Sequence, residues 1–271
     1  RENFDSMGPT GVNLPGGWTA GYLGAVGTQN RLTMEPYAGN SLAITAMPLI
    51  VSDGSALPSA NVGTVFNMGA TGSADRALGN YPRTNPSGDQ IMQVAVVNKL
   101  GRDVTEITLS YTGEQWRQAQ GTAELKPEKL KVLYSLTSAT TGFTYLGASF
   151  DFIAPQDDPA NLGLDGNDPN NRAVITGTIQ LPSPLANGRT LYVRWHDWND
   201  NSTTDHFFAI DDVSITTPKP TAIPPKFNAV SLQGGNLVIS WTGTGTLEQA
   251  GAVTGPWTTA SSQSNPQNVP A

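Results

Sequence analysis

Apolar and polar side chains alternate with a period of two through the middle of this chain, which predicts a series of half-buried strands. In residues 104–111, Ile107, Leu109 and Tyr111 fall on one face and Thr108 and Ser110 on the other. Leu130, Val132, Tyr134 and Leu136 repeat the pattern, and residues 145–152, 172–181, 190–198 and 207–215 read the same way. Residues 90–97 form a compact apolar run of strand length. Residues 1–89 are rich in Gly, Asn and Pro around shorter apolar pieces such as 41–51, and 54–81 reads as turns between short strands. One stretch, 113–125, has the composition of a helix, weakened by Gly121 and Pro127. Regularly spaced strands without helices predict an all-β fold, a jelly-roll-like antiparallel β-sandwich over residues 1–216.

The pattern breaks at 217–226, where Pro218, Pro220, Pro224 and Pro225 make a stiff, extended spacer unsuited to a sheet interior. Beyond it, 227–271 is a small Ig-like or partial β unit, short for a sandwich of its own. Its strand-like piece is 236–241, and its end, 261–271, carries no strong strand pattern.

Composition narrows the functional classes. Charged residues are 14% of the chain and cysteine is absent, which removes thiol nucleophiles, Cys-ligated zinc and iron–sulfur clusters. Net charge is −7, and Lys and Arg are scattered except between Lys126 and Lys131, so nucleic acid is not an expected partner. No apolar run approaches the length of a membrane span. The first residue is Arg1 rather than Met, which fits a removed leader and predicts a secreted protein.

Three pieces occur in a telling order. Residues 3–6 (Asn-Phe-Asp-Ser) precede a turn at 14–18 (Leu-Pro-Gly-Gly-Trp), 107–117 follows mid-domain, and 164–167, 191–195 and 205–215 close the domain. This order resembles the non-catalytic jelly-roll modules of large secreted and surface-attached bacterial proteins. Residues 237–241, 243–247 and 254–257 look like the C-terminal β module of such proteins, in which a further aromatic strand normally follows. The resemblance implies a bacterial, extracellular or cell-surface location and a C-terminal unit lacking its last strand.

The candidate chemistry is sparse. Strict alternation over 207–215 would place Phe207, Ala209, Val213 and Ile215 on one face and Phe208 and Ile210 on the other. Asp211 and Asp212 would then leave one carboxylate among apolar neighbours unless a bulge intervenes. Such a carboxylate needs a cation or several donors. A structural Ca²⁺ shared with Asp5 would supply one, and a salt bridge to Arg194 or Arg117 would supply another. Asp157, Asp158, Asp165, Asn167 and Asp168 fail the EF-hand template and read as turn formers. His196 and His206, with nine residues between them across a polar stretch, match no catalytic metal spacing and read as exposed loop imidazoles. Of the aromatics, including Trp116, Tyr37, Tyr81 and Tyr145, Trp195 lies in phase with Leu191 and Val193 and belongs to the core. Trp198, in a polar loop with Asp200 and Asp205, is the exposed candidate for stacking on a sugar.

No nucleophile elbow, P-loop or dinucleotide fingerprint is present, and nothing selects a carboxylate pair for glycoside hydrolysis. The sequence therefore predicts a non-enzymatic extracellular structural protein whose partners are other copies of itself or neighbouring surface proteins, joined through β edges. The alternative is a carbohydrate-binding module acting on a polysaccharide, with a glycoside hydrolase as a third reading.

Overall fold

The structure is a computed structural model that describes residues 1–23, 43–58, 62–84, 87–118, 127–157, 160–199, 205–219, 223–228 and 230–270. It divides into two compact units, Arg1–Pro218 and Lys219–Ala271. In the first unit the strands are β1 (Trp18–Leu23), β2 (Ile44–Ala46), β3 (Leu49–Ser52), β4 (Thr64–Met68) and β5 (Ala77–Tyr81). A short hairpin, β6 (Arg83–Thr84) and β7 (Ser87–Gly88), leads to β8 (Gln90–Val97), β9 (Val104–Arg117) and β10 (Lys129–Ser135). After β11 (Thr144–Tyr145) and β12 (Phe152–Ile153) come the long strands β13 (Arg172–Leu185), β14 (Thr190–Asp197) and β15 (Phe207–Thr216).

These strands build two large sheets. One has the order β11-β10-β14-β8-β1-β2, with β12 also beside β10, and the other is β13-β9-β15-β5-β4-β3. Pairing is antiparallel except between β3 and β4, which run parallel. The alternation read from the sequence sends one row of each strand into the shared core. Leu130, Val132 and Tyr134 of β10 and Leu191, Val193 and Trp195 of β14 meet Ile107, Leu109 and Tyr111 of β9 and Phe208 and Ile210 of β15. Trp195 sits at the centre, stacked on Trp18 at 5.7 Å and edge-on to Tyr111 at 5.5 Å.

Both sheets also bury part of their outer faces. On the sheet containing β9 and β15, Phe66, Met68, Tyr81, Trp116 and Phe207 form a second cluster. On the other, Leu23, Ile91, Leu133, Phe143 and Trp198 form a third.

Two local expectations are corrected. Residues 113–117 are strand, not helix, because β9 is hydrogen-bonded on both sides, to β13 and to β15, and ladder pairing outweighs a weak helix preference; residues 119–126 lie outside the described residues. Residues 145–152 are not one strand. They hold the end of β11, a 3₁₀ turn at Ala148–Phe150 and the start of β12, with Gly147 at φ 94° making the break.

The second unit is built from short pieces. These are β16 (Lys226–Phe227), β17 (Ser231–Gln233), β18 (Asn236–Ile239), β19 (Trp241–Thr242), β20 (Glu248–Gln249), β21 (Thr258–Thr259) and β22 (Gln267–Pro270). They pair as β16-β19, β17-β18-β22 and β20-β21. Among its described residues Ala260 is the only buried hydrophobic one, while Val253 is 92% exposed and Ile223, Phe227, Leu232 and Trp257 are each more than half exposed.

Candidate functional site

The sequence-predicted acidic pair lies on a β-bulge. The register between β15 and β9 shifts between Asp211 and Ser214, and Asp212 takes φ 50°. The extra residue slips the alternation by one, so Val213 and Ile215 join Phe208 and Ile210 in the sandwich core while Phe207 and Ala209 face outward. The face assignment expected for Val213 and Ile215 is thereby reversed. Asp211 stays on the outer face and is buried, whereas Asp212 turns to the surface and pairs with Arg1 at 2.7 Å. The residue after the bulge is tied to the chain start, since the Glu2 N–H donates to the Val213 carbonyl at 2.8 Å.

Glu114, which the sequence reading did not single out, completes this corner. It stands opposite Ala209 on β15, two residues from Asp211 and on the same outer face. The side chain is 1% exposed; Trp116 Nε1 donates to Oε2 at 2.8 Å, and Oε1 has no hydrogen-bond partner among the described residues. Burial pushes its carboxyl up to about 8. The Trp116 hydrogen bond pulls the other way, and the nearby charges of Asp211 and Asp75 push it further up. Asp211 rises to about 7, again mainly through burial, opposed by the Asp212 N–H and helped by the charges of Asp212, Asp75 and Asp5. The signal for Glu114 was the alternation Thr112, Glu114, Trp116, which places a carboxylate beside a tryptophan once 113–117 is read as strand.

Asp5 lies near this corner, but both of its carboxylate oxygens are engaged. Oδ1 accepts the Arg76 N–H at 3.1 Å and Oδ2 accepts Asn3 Nδ2 at 2.6 Å. Among the described residues no three His, Cys, Asp or Glu side chains stand close enough together to hold a metal ion. A cation here would have to draw Asp212 away from Arg1 and share Asp5 with its present donors. Arg117, expected as an alternative partner, donates instead to the carbonyls of Gly54 and Ser55 and to Asn161. Glu114 and Asp211 offer a substrate no approach, because both are buried.

Trp198, the ring proposed to stack on sugar, is not an exposed platform. Trp198 is 7% exposed, lies in the cluster of Leu23, Ile91 and Leu133, and stacks on His196 at 4.4 Å. A flat apolar ring gains more by covering the outer sheet face than by standing in water. The two histidines are buried as well. His196 Nε2 lies 2.9 Å from Asp89, with burial lowering its pKa against the pull of that carboxylate, and His206 Nε2 lies 3.4 Å from Asp157. Asp205 is buried too, and Asp200 lies outside the described residues, as do Asp158 and Tyr37. Asp165 and Asp168 accept the N–H groups of Asn167 and Asn170, the local turns expected of them.

Exposed aromatic surface is found instead in the second unit. A groove of about 260 Å³ is lined by Pro225, Phe227, Trp241, Leu247, Glu248 and Trp257. Phe227 and Trp241 face each other across the β16–β19 ladder, and Phe227 and Trp257 are 60% and 56% exposed. Two side-chain amides brace the walls as a neighbouring strand would. Asn265 accepts the Trp241 N–H at 3.3 Å and donates to its carbonyl at 2.7 Å; Gln263 accepts the Leu247 N–H at 2.8 Å and donates to its carbonyl at 3.1 Å. Sequence reasoning noted Trp257 only within 254–257, a piece resembling a C-terminal β module, because periodicity cannot tell a covered ring from an exposed one.

No known protein family and no curated protein matches the chain. Among solved structures it is similar to the K2 cleaved adhesin domain of Lys-gingipain, at 14% identity and a TM-score of 0.37. It is also similar to the K3 cleaved adhesin domain of Lys-gingipain from Porphyromonas gingivalis, at 15% identity and a TM-score of 0.39. Each alignment covers 80% of this chain and 97% of the other. A third similarity, to the CBM22-1 xylan-binding domain of Xyn10C from Paenibacillus barcinonensis, has 12% identity and a TM-score of 0.30, covering 60% of this chain and 85% of that one. All three are distant likenesses of shape.

Proposed function

We propose that this chain is a non-catalytic, extracellular structural module that associates with further copies of itself through its C-terminal unit. The observation that carries this reading is the nearly coreless state of that unit, in which Ala260 is the one buried hydrophobic residue among those described. A unit of this size must bury apolar surface to offset the entropy of ordering its backbone, and here Ile223, Phe227, Leu232, Val253 and Trp257 each leave more than half of theirs exposed. Leu232, Leu237 and Val269 lie in one cross-strand row over β17, β18 and β22, all exposed. On their outer sides β17 and β22 pair with no further strand among the described residues.

Chemistry favours a second copy as the occupant. The C-terminal unit carries only Lys219, Lys226 and Glu248 as charged residues, so two copies can abut without appreciable repulsion. Neither β17 nor β22 contains a charged residue, although charge is the usual guard of an open edge. Neighbouring surface proteins with an uncharged edge strand are the other partners this reading allows. Calcium is retained as a proposal for the Asp5, Asp211 and Asp212 corner, where a divalent cation would offset the crowding of carboxylates.

Light scattering of the full chain over a range of concentrations tests the reading. Association is expected, and Leu232→Lys or Val269→Lys, both at exposed positions, is expected to weaken it by about tenfold or more. A monomer at every concentration, or association indifferent to both substitutions, would contradict it.

A further inference from the structure

We infer that the groove bounded by Phe227, Trp241 and Trp257 is a binding site for a neutral oligosaccharide, distinct from the β17-β18-β22 face assigned to association. Two rings more than half exposed in one depression would be a liability unless something covers them. Their chemistry specifies the cover. Pyranose rings present a patch of axial C–H groups on one face and a rim of hydroxyls at the edge. The first packs on flat aromatic surface, and the second needs donors and acceptors at the margin. Phe227, Trp241 and Trp257 supply the surface, and the Glu248 carboxylate and Thr246 hydroxyl supply the margin.

Charge selects among sugars. The lining contains one carboxylate and no lysine or arginine, so an acidic polysaccharide would meet repulsion and a neutral one would not. The groove is also held in shape before any ligand arrives. Asn265 fixes both backbone groups of Trp241, and Gln263 fixes both of Leu247, by side-chain hydrogen bonds that would otherwise go to water. Walls ordered in this way lower the entropy lost on binding. Among the described residues this groove offers a carbohydrate exposed aromatic rings, which the buried Trp198 does not.

The test is a calorimetric and tryptophan-fluorescence titration of the full chain with cellohexaose, xylohexaose and mannohexaose, and with an oligogalacturonate as the acidic control. The measurement is made well below the concentration at which light scattering detects association. At least one neutral oligosaccharide is expected to bind with a blue shift in emission, with little dependence on salt, while the oligogalacturonate does not. Trp257→Ala and Phe227→Ala, at exposed positions with little cost to folding, are expected to weaken binding about tenfold each. Leu232→Lys, which acts on the association face, is expected to leave sugar binding unchanged. Failure of all three neutral sugars to bind, or binding indifferent to Trp257→Ala, would overturn the inference. Loss of acrylamide access to Trp257 on self-association, without any sugar binding, would instead assign the groove to a second copy.

Discussion

Trp195→Ala is expected to lower the melting temperature of the sandwich by roughly 6–20 °C, the consequence of losing about 3–5 kcal/mol of core stability. Trp195 is fully buried at the point where the two large sheets meet, against Trp18 from one and Tyr111 from the other. The neighbours cannot close the gap: Trp18 is held edge-on by Phe4 at 4.8 Å, and the Tyr111 hydroxyl is fixed by its hydrogen bond to the Phe150 carbonyl at 2.6 Å. A cavity therefore stays open, and cavities cost more than the transfer of the lost atoms. Thermal unfolding followed by near-ultraviolet circular dichroism reads the effect. Trp198→Ala belongs in the same experiment, since a buried Trp198 also predicts a fall in melting temperature, whereas a surface ligand-binding ring predicts almost none. An unchanged melting temperature for Trp195→Ala would mean that the sheets do not share this core.

A second large effect is expected at Glu114. Its carboxyl is raised from the ordinary 4.5 to about 8, so between those values the folded chain holds a proton that the unfolded chain has released. Stability from this group is thus complete below about pH 4.5 and is lost as pH rises towards 8, with Asp211 adding to the loss up to about pH 7. The shift corresponds to an upper bound on the order of 5 kcal/mol at pH 8.5. Glu114→Gln removes that penalty, keeps an oxygen to accept Trp116 Nε1, and gives back about 1–3 kcal/mol because the new amide N–H groups are buried. The net expectation is a rise in melting temperature of roughly 3–10 °C at pH 8.5 and a flat profile above pH 7. A fall at pH 8.5 would contradict the protonation scheme. The calcium proposal is decided in the same titration. Millimolar Ca²⁺ at pH 8.5 would raise the wild-type melting temperature, a chelator would reverse the rise, and Asp211→Asn would not respond. Absence of any calcium response would remove the metal from this corner.

How much of this was legible in the sequence depends on which residues one asks about. The rows Leu130-Val132-Tyr134 and Leu191-Val193-Trp195 are core rows in the structure because alternation is a local property that survives into the sheet. The bulge at Asp211–Val213 could be named as an exception but not placed, since it depends on how β15 meets β9, a contact of long sequence separation. Trp198 illustrates the same limit from the other side. Its polar sequence neighbours indicated exposure, yet Leu23, Ile91 and Leu133, brought from three other strands, cover it. In the C-terminal unit the failure is of a different kind. Phe227, Trp241 and Trp257 were visible as aromatics, but only the three-dimensional arrangement shows that these short sheets leave them in a groove rather than a core.

The claim that the C-terminal unit obtains its apolar cover from a second copy is tested most directly by amide hydrogen exchange as a function of protein concentration. In dilute solution the amides of Ser231–Gln233 and Gln267–Val269 on the open strands are expected to exchange rapidly, and on association they are expected to become protected together. Protection that is the same at every concentration, while amides of the sandwich strands such as β9 and β14 remain protected throughout, would contradict it.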